Sequence, residues 1–344
     1  MNIRPHDLRA HALDTLRQAA RVCLDLYKVM IPIIIIVKIL EELDLIRYLA
    51  LPLAPLMELV GLPAKMGLVW ATAMATNLYS SMIVYATLVA GATGVASGAA
   101  VEPLSVAQVT VLCVMLLVAH NLPVEIRIAQ HCGANPWGQL TIRILGALVY
   151  GLLLHLFLER FDLLRGPSRL LFAAPPQSAD LWAWAWGQTR NLISLFFVVL
   201  ALMTLMKILN LLRVTKAVVY LLSPLLRFMG VGKSAATITV IGLCLGIAYG
   251  GGLILNEVRS GRVATRDVFA SLSLMGLSHA LIEDTLLMLM LGGHMLGTLW
   301  GRLLFSLAAM ALLSRLHDRF VSGPQAPALA TVKVSNGAGT SVGD

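Results

Sequence analysis

The sequence is poor in charged and in aromatic side chains. Charged residues make up 13% and aromatic residues 6% of its 344 positions, whereas about a quarter of the residues of a soluble domain are charged. Hydrophobic residues reach 58% and the mean hydropathy is +0.82. This composition excludes an ordinary soluble domain. We expect a protein whose solvent is the lipid bilayer.

The motifs of common enzyme classes are missing as well. The sequence contains no P-loop, no H-E-x-x-H and no glycine-rich dinucleotide fingerprint. The four cysteines show no C-x-x-C spacing and lie in or near apolar segments, where they act as small hydrophobic side chains. We therefore expect no enzyme, no bound cofactor and no ATP-driven mechanism on this chain.

A basic stripe of the kind that binds nucleic acid is not found either. The net charge is +8, but the basic residues are scattered at the ends of apolar segments, which is typical of anchoring to membrane lipid. Residues 1–21 carry too many charges for a secretory signal and follow the pattern of an amphipathic helix. We expect this helix on the cytoplasmic surface of a bacterial inner membrane.

The chain does contain an internal repeat. P-L-x-x-x-x-G occurs at residues 55–61 and 224–230, an offset of 169, and H-x-x-x-x-[ED] occurs at residues 120–125 and 279–284, an offset of 159. Trp137-Gly138 matches Trp300-Gly301 at an offset of 163. Matches in the same order indicate a duplication. We expect a first repeat at residues 22–159, a linker at 160–180, a second repeat at 181–316 and a disordered tail at 317–344.

Loop charges predict the orientation of the two repeats. Residues 41–65 carry a net charge of −2, whereas the matching residues 210–233 carry +4. Because basic loops favour the cytoplasm, the two halves should face opposite ways, as inverted repeats do, with both termini in the cytoplasm. The segments before and after the apolar stretches 66–90 and 235–255 have the same charge character. We therefore predict an all-α polytopic membrane protein with a re-entrant helical hairpin in each repeat.

Ionisable residues inside apolar segments are the strongest candidates for function, because each costs at least about 2.5 kcal/mol in a bilayer. In the second half they are His279, Glu283 and Asp284, and the spacing of four predicts that His279 and Glu283 share one face of a helix. The first-half counterparts are His120, Asn121 and Glu125.

Three interpretations of these clusters stay open. A buried histidine–carboxylate pair can simply hold two helices together. A site for a polar solute can use the histidines for proton coupling. A metal site can draw its ligands from both halves, and the candidates are His279, Glu283, Asp284, His120 and Glu125.

Two further polar or glycine-rich groups interrupt apolar stretches. They are Asn77, Tyr79, Ser80 and Ser81 in the first half, and Tyr249, Gly250 and Gly251 in the second. A broken helix presents unpaired N–H and C=O groups that can bind a solute. The alternative is that the serine and asparagine side chains bond back to a continuous helix.

The two repeated motifs resemble those of the nucleoside-recognition or Gate-domain membrane proteins. In this sequence P-L-x-x-x-x-G precedes a stretch broken by glycine or serine, and H-x-x-x-x-[ED] follows it. That group includes spore-maturation membrane proteins and the membrane part of ferrous-iron permeases, and it is distantly similar to concentrative nucleoside transporters. The resemblance covers residues 30–316. It implies inverted repeats, re-entrant hairpins and a central solute site lined by residues 77–81, 121–125, 249–252 and 279–284.

The sequence departs from these relatives in two respects. It has no match to the ribose- and base-binding residues of nucleoside transporters, and it has no GTPase domain. We expect a secondary permease for a small polar solute, with a nucleoside-like compound as the candidate, working by alternating access with H⁺ or Na⁺ as a candidate coupling ion. A divalent-metal permease and a non-transporting membrane scaffold are the alternatives. The small residues 91–100 form either a homo-oligomer interface or a loop.

Overall fold

The fold is all-α and crosses the membrane several times, as the composition predicts. The computed structural model describes residues 5–43, 45, 48, 51–93, 104–171, 180–229, 231–260 and 263–320. In these ranges the only extended pairing is one isolated bridge between Ser105 and Pro167. Four helical segments are long and apolar enough to span a bilayer: Val106–His131, Pro136–Arg160, Leu181–Leu209 and Leu296–Leu316.

The helices of the two halves occur in the same order. The first half contains α1 (Pro5–Glu42), α2 (Ala54–Leu59), α3 (Met66–Ala75), α4 (Leu78–Thr93), α5 (Val106–Val118), α6 (Leu122–His131) and α7 (Pro136–Arg160). The second contains α8 (Leu181–Leu211), α9 (Val214–Phe228), α10 (Lys233–Leu245), α11 (Ile247–Arg259), α12 (Thr265–Leu277), α13 (Glu283–Met290) and α14 (Arg302–Phe320), which continues a π-helical segment, Leu296–Gly301. Each helix from α1 to α7 thus has a counterpart seven places later.

Each repeat contains a helical hairpin. Helices α3 and α4 are separated by two residues and α10 and α11 by one, and the helices of each pair pack against each other. The second hairpin turns at Gly246, whose φ of +99° suits glycine. A Cβ placed on Gly250 would lie 2.6 Å from the Cα of Gly242, so the two helices touch backbone to backbone. The predicted hairpins are confirmed as folded-back helix pairs.

Each repeat also contains a helix that is interrupted by a short non-helical segment and then resumes. The break between α5 and α6 has Asn121 in the left-handed region (φ 49°), and the break between α12 and α13 has Ala280 there (φ 45°). The Asn121 N–H donates to the carbonyl of Ala73 at 2.8 Å, and the Leu281 N–H donates to the carbonyl of Leu243 at 2.9 Å. The end of the first helix in each hairpin therefore satisfies the break in its own repeat.

The two broken helices run in opposite directions. The N–H of His294, which follows α13, donates to the Thr110 hydroxyl near the start of α5. At the other end, the thiol of Cys132, which follows α6, donates to the carbonyl of Gly251 in α11. We call the end that carries the α6–α7 and α11–α12 connections face A, and the end that carries residues 291–295 face B. The repeats are therefore inverted, as predicted.

Helices α1 and α8 pack antiparallel beside this core. Lys207 donates to the Thr15 hydroxyl at 2.9 Å, and the Tyr27 hydroxyl donates to the carbonyl of Leu192. The N-terminal part of α1 therefore lies at the same end of the molecule as the C-terminal part of α8, on face A. Because α14 starts at face B and spans the molecule, its C-terminal end lies on face A as well.

The expected segment boundaries are only partly visible. Helix α1 runs without a break through residue 21, so the expected surface helix and the first span belong to one helix. Helix α14 continues to Phe320 and so includes the first four residues of the expected tail, 317–320. Residues 321–344, the 91–100 patch beyond residue 93, and residues 172–179 of the linker lie outside the described residues.

The glycine contact in the second hairpin gives a first testable prediction. In Gly250→Ala the new Cβ would lie 2.6 Å from the Gly242 Cα, and overpacking of this kind destabilises by about 1–3 kcal/mol. Gly252→Ala is the matched control, because a Cβ there meets no atom within 4 Å. We expect a lower thermal unfolding midpoint in detergent for Gly250→Ala than for Gly252→Ala. Equal midpoints would contradict the close packing of α10 on α11.

Candidate functional site

Two buried histidines, one from each repeat, face each other at the centre of the molecule. The rings of His120 and His279 have centroids 5.0 Å apart. His120 Nδ1 lies 3.0 Å from the carbonyl oxygen of Leu116, and His279 Nδ1 lies 2.8 Å from that of Met275. A carbonyl oxygen only accepts hydrogen bonds, so each Nδ1 carries the hydrogen. Each Nε2 is therefore the nitrogen left to face the centre.

A single carboxylate lies between the two imidazoles. Glu125 Oε1 is 3.4 Å from His120 Nε2 and also 3.4 Å from His279 Nε2. The other oxygen, Oε2, accepts a hydrogen bond of 2.5 Å from Arg143 Nη1. Arg143 is itself fixed by a bond from Nε to the carbonyl of Val118 at the break between α5 and α6. The helix break thus positions both the arginine and the histidine.

The second repeat holds the same residue types in a different state of pairing. Asp284 is buried, and its Oδ2 has no hydrogen-bond partner. Arg302 is fully buried and donates from Nη2 to the carbonyl of His279, but its Nε and Nη1 have no partner. Glu125 is thus paired with its arginine, whereas Asp284 is not.

The arginines are the functional candidates that the sequence interpretation missed. Arg143 and Arg302 are separated by 159 residues, the same offset that relates His120 to His279. Each arginine bonds to a backbone carbonyl near its own histidine. The structure therefore favours an offset of 159 here over the tryptophan alignment at 163. Extending the 159 offset past residue 284 would have identified the pair.

Glu283 lies apart from this cluster, which corrects one prediction. His279 and Glu283 do not share a helix face, because α12 ends at Leu277 and α13 begins at Glu283. The Glu283 side chain instead faces Tyr79, whose hydroxyl donates to Oε1 at 3.4 Å.

Tyr79 also lines a cavity beside the centre. The cavity is small, with a volume of about 30 Å³, is partly open, and lies between α4, α8 and α13. Its lining is mostly apolar: Tyr79, Met82, Ile83, Asn191, Ser194, Leu195, Val198 and Met290. Tyr79 therefore connects Glu283 with the lining of this cavity.

The other candidates in the first half lie at helix breaks. The Asn77 side chain accepts from the N–H of Ser80 and so caps the start of α4. Ser81 donates back to the carbonyl of Leu78, whereas the buried hydroxyl of Ser80 has no partner. Asn121 contributes its left-handed backbone and no capping side chain. Asn77 and Ser81 thus have local structural contacts, at a break and not in a continuous helix.

The glycines of the second half pack helices together. Gly250 contacts Gly242 and Met275, and Gly251 contacts Ile128 and accepts from Cys132. These contacts hold α11 against α10, α12 and α6. The side chain of Tyr249 lies outside the described residues. The helix break predicted at these glycines is therefore wrong: they lie inside α11, where they pack the hairpin, and the break is at Gly246.

The centre as a whole is a buried polar cluster at the meeting point of four helix breaks. One ligand atom from each of His120, His279 and Asp284 lies within 4.8 Å of the others. Glu125 Oε1 lies 3.4 Å from the Nε2 atom of each of the two imidazoles. Such an arrangement can hold a cation or a proton between nitrogen and oxygen atoms.

Comparison with known proteins places the chain among membrane proteins. It is 28% identical over 272 residues to a protein of Bacillus subtilis (strain 168) named uncharacterized membrane protein YvoD, covering 77% of this chain and 81% of that protein. No family model matches the sequence. No solved structure matches it.

Proposed function

We propose that this protein is a secondary permease that moves a small polar solute by alternating access, with the histidine pair at its midplane. The observation that carries the proposal is the unequal state of the two inverted repeats. In transporters built from inverted repeats, the opposite state arises when the repeats exchange conformations. A difference between repeats of like sequence is therefore what a permease in one end state should display.

The first difference concerns helix packing at the two faces. Helix α6 of the first repeat packs on α11 of the second at face A. The counterparts of these helices at face B are α13 and α4, and the cavity lies between them and α8. Helices α6 and α11 thus pack together at face A, whereas the equivalent α13 and α4 border the cavity together with α8.

The second difference concerns the ion pairs. Glu125 binds Arg143 and both imidazoles, whereas Asp284 Oδ2 and two Arg302 nitrogens have no partner. Leaving buried charged groups unpaired costs free energy, so a second state that pairs them should be close in free energy to this one. In that state Asp284 would bind Arg302 and contact the two imidazoles, and Glu125 would lose its contacts with Arg143 and the imidazoles.

The basic residues support an orientation. The face-A connections and their flanks carry Lys233, Arg259 and Arg266, and basic connections favour the cytoplasm. Face A would then be cytoplasmic, together with both termini, and the cavity would open toward the outside of a bacterial inner membrane. A nucleoside-like solute, an H⁺ or Na⁺ coupling ion and a homo-oligomer stay predictions.

Distance measurements between spin labels test the alternating-access proposal. One pair, His131→Cys with Ser260→Cys, reports on face A, and a second pair, Val89→Cys with Met295→Cys, reports on face B. The native cysteines are all buried and react slowly. In Glu125→Gln the negative charge that pairs with Arg143 is lost, so we expect the face-A distance to lengthen and the face-B distance to shorten.

Glu58→Gln is the control, since Glu58 is an exposed carboxylate remote from the histidines. It should leave both distance distributions as in the unmodified protein. A membrane scaffold would give one distance at each face, and Glu125→Gln would not move the two in opposite directions. That outcome would reject the permease.

A further inference from the structure

The arrangement of the two imidazoles identifies the kind of solute that the centre fits. Both Nδ1 atoms donate to backbone carbonyls, so in the neutral rings both Nε2 lone pairs are directed into the centre. There they meet the oxygen of Glu125, which is also an acceptor. Three acceptor atoms converge, and a positively charged species between them would relieve their repulsion.

Two of the distances between these atoms match the edges of a metal coordination polyhedron. A divalent transition metal binds imidazole nitrogen and carboxylate oxygen at about 2.0–2.2 Å, so two ligands of a tetrahedral site lie roughly 3.3–3.5 Å apart. Glu125 Oε1 is 3.4 Å from each Nε2. Asp284 supplies an oxygen within 4.8 Å of ligand atoms on both rings, and its buried Oδ2 has no other partner.

The surroundings of the histidines are also those of metal ligands. Histidine ligands usually donate their second N–H to a carbonyl or carboxylate, which fixes the tautomer and the ring orientation. His120 and His279 both do so, to the carbonyl four residues earlier. Arg143 holds the second oxygen of Glu125, which leaves Oε1 directed at the rings.

We propose that His120, His279, Glu125 and Asp284 bind a divalent transition-metal ion, and that this ion is the solute that the permease moves. The inference rests on the proposed function and names its substrate class. Two imidazoles with two carboxylates suit manganese, ferrous iron or zinc. Magnesium and calcium prefer sites made of oxygen atoms alone.

Co²⁺ binding to the full-length protein in detergent, purified without a polyhistidine tag, tests this site. Visible absorption bands of Co²⁺ report nitrogen and oxygen coordination directly, and equilibrium dialysis with Mn²⁺ gives the affinity and stoichiometry. We expect one ion per chain. His120→Gln, His279→Gln and Asp284→Asn should each weaken binding by at least about tenfold and alter or abolish the absorption bands.

His131→Gln is the matched control. Like the two central histidines, His131 places its Nδ1 on the carbonyl four residues earlier, but it is exposed. Its replacement should leave affinity and absorption bands unchanged. Retained melting temperature identifies the variants that have folded, and Asp284→Asn keeps the side-chain volume in case a histidine variant does not fold.

The proposal is overturned if the unmodified protein binds no Co²⁺ or Mn²⁺, or if the central variants bind as tightly as His131→Gln does. A proton shared between imidazole and carboxylate would then be the remaining occupant. The spin-label distances are measured without metal, so they separate the two conclusions. Distances that exchange in a protein that binds no metal would leave the permease standing and reject only its substrate.

Discussion

Replacing Arg143 with methionine is expected to destabilise the protein by about 3–5 kcal/mol, because the Glu125 carboxylate would be left buried without its partner. Arg302→Met removes the same side chain from the equivalent position of the second repeat. Arg302 is equally buried, but it forms no ion pair with Asp284 among the described contacts. We expect its replacement to be close to neutral.

Thermal and denaturant unfolding of the two variants in the same detergent measures this difference. Because both substitutions remove one buried arginine and add one methionine, composition and volume are matched. Equal destabilisation would mean that the arginines act only through their backbone hydrogen bonds, at Val118 and at His279. The ion pair present in one repeat and missing in the other would then make no difference to the free energy of unfolding.

The repeat, the hairpins and the central histidines could be predicted from the sequence for definite reasons. The motif H-x-x-x-x-[ED] stands out because ionisable residues are rare in apolar segments. The hairpins could be inferred because charges at both ends of each apolar stretch have the same character. Asn77 marks the start of α4 as expected, whereas the break predicted at Gly250 to Gly252 lies instead at Gly246, and the three glycines are inside α11.

Other features depend on tertiary contacts that local patterns do not encode. The spacing of His279 and Glu283 predicted a shared helix face, but the chain leaves the helix at Ser278 and bonds Leu281 to the hairpin instead. Helix α6 starts directly after Asn121, with Pro123 in its first turn, whereas α13 starts only at Glu283. This unequal start changes where Glu125 and Asp284 point, although their positions in the motif are the same.

The length of the two carboxylates is the other difference between the motifs, and it leads to a prediction about the preferred state. Glutamate is one methylene longer than aspartate. Glu125 reaches Arg143 and both imidazoles, whereas Asp284 reaches neither a nitrogen of Arg302 nor any other partner with Oδ2. If the length of the carboxylate side chain decides which of the two carboxylates contacts the histidines, then exchanging the two residues should exchange the roles of the repeats.

The double variant Glu125→Asp with Asp284→Glu is therefore expected to close face B and open face A. A hydrogen bond to a charged group contributes about 1.5–3 kcal/mol, and each 1.4 kcal/mol corresponds to a factor of about ten in a population ratio. The ratio of the two states should thus change by roughly tenfold or more. The spin-label pairs at His131 with Ser260 and at Val89 with Met295 measure it.

Glu283→Asp is the control for this exchange, since it shortens the carboxylate next to Asp284 without touching the histidines. It should weaken the contact with Tyr79 and leave the distance distributions unchanged. If the double variant keeps the face-A distance short, carboxylate length does not determine which state is preferred. The early start of α6 at Leu122 and Pro123 is then the next difference to test. If the distances exchange, one methylene group determines which side of the membrane the centre faces.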